Sequence, residues 1–109
     1  MNSVVIVGRA GQDAEIRYFE SGKIKTSFSL AANRWDSKTK SEVTDWFNVD
    51  VWDNQAEFAG EYVKKGRLVA VDGRITTNKW KDVSGEEKER YLIVANTIKL
   101  LGSKKDEVQ

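Results

Sequence analysis

The stretch Thr44-Asp45-Trp46-Phe47-Asn48-Val49-Asp50-Val51-Trp52 limits what this chain can become more than any other. Its residue types alternate with a period of two, so as a β-strand it has two unlike faces. Phe47, Val49 and Val51 form one face and read as core. Trp46, Asn48, Asp50 and Trp52 form the other. A core does not mix large rings with a lone carboxylate, because burying an unpaired Asp is costly. A face that only meets water has no use for two tryptophans. A polar strand surface studded with flat rings suits the stacking of nucleic-acid bases.

Composition narrows the remaining options. A chain of 109 residues suits one domain with a modest core. No apolar run is long enough to span a membrane. Met1-Asn2-Ser3-Val4 carries no basic segment and no signal-peptide pattern follows, so the expected location is the cytoplasm. The chain has no Cys, which excludes disulfides and thiolate chemistry. It has no His, which removes the commonest general base and transition-metal ligand. No Walker loop, GxGxxG, metal-ligand cluster or nucleophile–base pair is present. No catalytic residue, metal or cofactor is expected. The net charge is only +1, so charge must act through its distribution. Arg74, Lys79 and Lys81 lie in a stretch from Gly73 to Lys81 that holds no acid.

Taken in order, the chain reads mostly as strands. Val4-Val5-Ile6-Val7 is β-branched, is ended by Gly8 and Gly11, and reads as a buried strand. Asp13 to Phe19 is a second extended piece, with Ile16 and Tyr18 on one parity and Arg17 on the other. Gly22 suits the turn at Glu20-Ser21-Gly22-Lys23. Ile24 to Trp35 alternates again, and Trp35 shares its parity with Lys25, Ser27, Ser29 and Asn33. Asp36 to Val43 is a polar loop closing a long hairpin with the Trp46 strand. After Trp52 the pattern turns helical. Asp53 or Asn54 suits the N-cap, and Lys64-Lys65-Gly66 suits the end of a helix of about three turns. Phe58, Ala59, Tyr62 and Val63 fall on one face, which suits a helix plugging one end of a barrel. Arg67 to Val71 resumes as strand, and Gly73 marks a bulge or bend. Arg74, Thr76, Asn78 and Trp80 share one parity, Asp82 to Glu86 is a hairpin tip, and Arg90 to Leu100 returns. Residues 1–102 are the expected folded domain, and 103–109 a short flexible polar tail. Strands with one helix and no βαβ repeat predict a small closed β-barrel.

A single Trp is more often packed than exposed. Here all four tryptophans, Trp35, Trp46, Trp52 and Trp80, sit on the parity that also carries Ser, Asn, Asp, Arg or Thr. The opposite parity already supplies a core. The pattern therefore predicts four exposed stacking rings. The candidate phosphate partners are Arg9, Lys23, Lys25, Arg34, Arg74, Lys79 and Lys81, although ordinary solvated charge is the default for most of them. Lys79-Trp80-Lys81 interleaves one ring with two cations.

These segments also form an ordered set. They are Asn2 to Arg9, Asp13-Ala14-Glu15-Ile16-Arg17-Tyr18, Phe28-Ser29-Leu30-Ala31, Thr44 to Val49, Glu61-Tyr62-Val63-Lys64-Lys65-Gly66, Val71-Asp72-Gly73-Arg74, and Lys79-Trp80-Lys81-Asp82 followed by Gly85. From Asn2 to about Leu101 the chain resembles the bacterial-type single-stranded DNA-binding protein (SSB) family. The resemblance implies an all-β OB-fold: a five-stranded Greek-key barrel with one short α-helix and extended β-hairpins. It implies a homotetramer on which single-stranded DNA wraps, near the nucleoid. It also implies sequence-independent binding that protects DNA in replication, recombination and repair. The family's stacking aromatics fall at the positions of Trp35, Trp46, Trp52 and Trp80.

There are departures from the family pattern. Ala14 stands where the family commonly has Pro. The sequence stops at Lys104-Lys105-Asp106-Glu107-Val108-Gln109 without the long Gly/Pro/Gln-rich tail and acidic tip typical of the family. Either the sequence covers only the core or this is a short member of the family, so replication and repair proteins stay open as partners while recruitment through such a tip is not carried over. Two alternatives stay open. One is an SSB-like primosomal accessory protein, dimeric on the same fold, against which the full set of four Trp argues. The other is a nuclease using Asp45, Asp50 and Asp53 on a metal, though these acids are spread over both strand faces and the helix start.

Overall fold

The structure is a computed structural model and describes residues 1–102, so the tail expected over 103–109 lies outside the described residues. The strands are β1 (Val4–Ala10), β2 (Glu15–Tyr18), β3 (Ile24–Asp36), β4 (Ser41–Trp52), β5 (Leu68–Lys81) and β6 (Glu87–Leu100). A 3₁₀ turn, Asp53–Gln55, and a short helix α1, Ala56–Tyr62, follow β4. The sheet runs β1-β5-β6-β4-β3-β2, and β1 pairs a second time with β3. That pairing, Arg9 with Ala31 and Ala10 with Leu30, closes five strands into a barrel and leaves β2 outside on β3. Only β4 and β6 run parallel, with Val49 opposite Ile93.

Closure needs a close approach. A Cβ on Gly8 would lie 2.3 Å from the Ala31 carbonyl oxygen, so only glycine lets β1 reach β3 there. Inside the barrel, Phe28 and Leu30 meet Phe47, Val49 and Val51 across the β3–β4 ladder, and Val69, Val71, Ile93 and Ile98 complete the core. Each fully buried aliphatic or Phe side chain contributes about 1.5–3 kcal/mol. Among the described residues Thr26 and Arg67 are the buried polar ones, and the Thr26 hydroxyl donates to the Ala56 carbonyl and ties β3 to the start of α1.

Four expectations change in detail. First, β1 passes through Gly8 to Ala10, and it is buried on one side only, with Val5 and Val7 exposed. Second, α1 is only 7 residues long and neither Asp53 nor Asn54 caps it. Asp53 has a left-handed φ of 50, and its carboxylate accepts the Ile24 N–H instead (3.1 Å). Third, the helix stops before Lys64-Lys65-Gly66. Val63 turns extended, enters the core, and its carbonyl accepts the Ala14 N–H (2.9 Å). Asp13 accepts the Lys65 N–H, and Gly66 donates to the Ala10 carbonyl, so tertiary contacts replace a helix C-cap. Ala56, Ala59 and Val63 face inward, whereas Phe58 and Tyr62 pair with each other outside, 5.1 Å apart. Fourth, β3 and β4 stay paired out to Asp36 and Ser41, which shortens the loop expected over Asp36–Val43 to a tight turn. The return strand likewise starts at Glu87, and the bulge expected at Gly73 falls between Asp72 and Gly73.

Candidate nucleic-acid interface

Residues directly opposite on paired strands point to the same side. Along β3 and β4 the outer row therefore reads Lys25 with Trp52, Ser27 with Asp50, Ser29 with Asn48, Ala31 with Trp46, Asn33 with Thr44, and Trp35 with Glu42. On β5 and β6 the matching row is Arg74 with Val94, Thr76 with Leu92, Asn78 with Arg90, and Trp80 with Lys88. The parallel pairing of Asp50 with Val94 joins the two rows on one side. All four tryptophans stand on this side and are exposed: Trp35 by 65%, Trp46 by 62%, Trp80 by 44% and Trp52 by 37%. From Lys25 to Trp35 the β3 row spans roughly 33 Å at strand rise. Trp46 lies over Gly11, where a Cβ would meet the ring at 2.6 Å.

The seven predicted cations divide between two sides. Lys23, Lys25, Arg74 and Arg9 lie with the tryptophans. Lys23 and Lys25 stand 6.0 and 5.7 Å from the Trp52 ring, and Arg9 lines a hollow with Trp46 while donating to the Gly66 carbonyl. Arg34, Lys79 and Lys81 project from the other side of the two hairpins. Arg34 pairs with Asp45 at 2.8 Å. Lys79 and Lys81 stand opposite Glu89 and Glu87. Alternation thus separates Trp80 from its sequence neighbours, and β6 returns acids to a hairpin arm that has none. Beside Trp80, Lys88 reaches back to Glu86 and Asp82 at the tip (3.4 and 3.9 Å). The Asp82 carboxylate accepts the Ser84 hydroxyl and the Ser84 and Glu86 N–H groups, and these bonds hold it below its ordinary value of 3.8.

Two further side chains stand beside these rows that the sequence did not single out. Arg90 borders a groove of about 410 Å³ with Asn78, Asn48, Asp50, Ser27 and Lys25, where the two rows meet. Its signal was its register opposite Asn78, which needs the β5–β6 pairing to be known. Phe19 stacks on Trp52 with centroids 5.7 Å apart. Its signal was present, since it shares its parity with Arg17.

The acids of the Trp46 strand are accounted for locally. Asp50 accepts the Ser27 hydroxyl at 2.7 Å. Asp45 points to the other side, to Arg34, and Asp53 serves Ile24. The three do not converge, and among the described residues no group of acids could hold a metal ion.

Comparison with known proteins bears on this barrel. Residues 1–101 match the Single-strand binding protein family. Single-stranded DNA-binding protein 1 of Synechocystis sp. is 46% identical over 110 residues, covering 100% of this chain and 90% of that one. The single-stranded DNA-binding protein of Neisseria meningitidis serogroup A is 38% identical over 109 residues, covering 97% and 63%. The solved Plasmodium falciparum SSB complex with ssDNA matches with a TM-score of 0.84 at 30% identity, covering 94% and 96%. The closed five-stranded barrel is therefore an OB-fold. The chain belongs to the single-strand binding protein family.

Proposed function

We propose that this protein binds single-stranded DNA without regard to sequence and protects it in replication, recombination and repair. The observation that carries this reading is the set of four exposed tryptophans on one side of the barrel. Every base has a flat face, so Trp35, Trp46, Trp52 and Trp80 can each hold a base of any identity. Lys23, Lys25, Arg74 and Arg9 stand on the same side and serve the phosphates, with Arg34, Lys79 and Lys81 reaching round on long stems. We read it as a binder rather than an enzyme; the nuclease alternative is disfavoured because Asp45, Asp50 and Asp53 do not converge and instead bond Arg34, Ser27 and Ile24 in turn. Its place of action is the cytoplasm, and no helix among the described residues is long and apolar enough to cross a membrane. It works as a homotetramer: Val5 and Val7 on β1, and Ile75 and Tyr91 on β5 and β6, are apolar groups that further copies would cover.

Anisotropy titration of labelled oligo(dT) and of a duplex of equal length tests the reading. Tight binding of the single strand, weakening as salt rises, is expected. Equal affinity for the duplex contradicts it. Sedimentation of the free protein should give four chains, whereas two would favour the dimeric accessory protein.

A further inference from the structure

At one end of the interface the rings cease to be isolated. Phe19 stacks on Trp52 at 5.7 Å, with planes 22° from parallel. The Arg17 guanidinium stands 5.5 Å over Phe19. The Lys25 ammonium lies 5.9 Å from Phe19 and 5.7 Å from Trp52, and that of Lys23 lies 6.0 Å from Trp52. Strand register builds this cluster, since Arg17 is opposite Lys25 and Lys25 is opposite Trp52. Phe19 comes in from the β2–β3 turn. Its N–H donates to the Lys23 carbonyl, and its carbonyl accepts the Gly22 N–H, both at 2.9 Å.

We propose that Phe19 is a positioning residue for Trp52, and that with Arg17 and Lys23 it carries the DNA path off the barrel onto the β2–β3 hairpin. This rests on the single-stranded DNA reading above. A tryptophan on an open strand is free to change rotamer, and a base that stacks on it must first immobilise it. Phe19 stacks on the indole, so a base must take the face that Phe19 does not cover, with the Lys23 and Lys25 ammonium groups close to the ring. The reduced exposure of Trp52, 37% against 62% for Trp46, fits one covered face. Arg17, Lys23 and Lys25 form no ion pair among the described residues, so three like charges crowd one ring pair. A phosphate beside the stacked base relieves that repulsion.

The test compares Phe19→Ala, Phe19→Leu and Phe19→Tyr with the parent chain in oligo(dT) titrations. A second set carries Trp35→Phe, Trp46→Phe and Trp80→Phe, so that only Trp52 emits. Phe19→Ala should weaken binding about three- to tenfold, as loss of an aromatic pair implies, with the far-UV CD retained. In the Trp52-only chain it should shift the emission to the red and reduce quenching by DNA. Phe19→Tyr should restore both, and Phe19→Leu, of similar bulk but without a ring, should not. Arg17→Gln should lower the salt slope by about 0.7. The proposal is overturned if Phe19→Leu equals Phe19→Tyr in affinity and quenching, or if Arg17→Gln leaves the slope unchanged. If the parent chain itself fails to bind oligo(dT), it is the single-stranded DNA reading that falls.

Discussion

Trp46 stays outside the core because its strand already has one. Phe47, Val49 and Val51 fill the barrel, so the alternate positions must face out. Gly11 gives the indole a floor, only the small Ala31 stands opposite it across the ladder, and the ring stays well exposed. Trp46→Ala and Trp80→Ala should each weaken single-stranded DNA binding by about 1–3 kcal/mol, the range general to base–aromatic stacking. Far-UV CD should be unchanged, and unfolding of either variant would mean that its ring is structural. Asp82 supports the Trp80 hairpin in a different way. The Ser84 hydroxyl and the Ser84 and Glu86 N–H groups favour its charged form, so its folded value is depressed. The tip contacts are therefore intact above the ordinary value of 3.8 and weaken as pH falls below it. The Ser84 and Glu86 amide resonances should report a single titration below that value. A midpoint above it would contradict the assignment.

Alternation decides which cations of an element accompany its rings. Lys25 stands opposite Trp52, whereas Lys79 and Lys81 stand across from acids on the side away from Trp80. Lys25→Gln should lower the salt slope of binding by about 0.7. Lys79→Gln should lower it less, because Glu89 already opposes that charge. Equal slopes for the two variants would show that both lysines reach the DNA alike. The outward rings and inward aliphatics of β3 and β4 were legible in the sequence, since a period of two is a local property. The ends of α1 were not. Asp13, Asp53 and Val63 engage partners far away in the chain, and no local capping rule describes those contacts. The two-faced role of Val4 to Val7 was hidden for a similar reason: a β-branched run looks the same whether one side or both are covered. Arg90, Glu87 and Glu89 acquire their neighbours only when β6 pairs with β5.

For the whole molecule, a net charge of +1 gives no bulk attraction to DNA. Binding must come from how rings and cations are placed on the closed barrel. The barrel holds two hairpins at fixed register, so one side presents four rings and four of the predicted cations together. Tetramer formation would multiply that side without new chemistry. The most direct measurement is tryptophan emission during a titration with poly(dT) at low and high salt. Strong quenching at low salt, reversed as salt rises, is the expected result. Unchanged emission at low salt, with the folded CD signal present, would contradict the account.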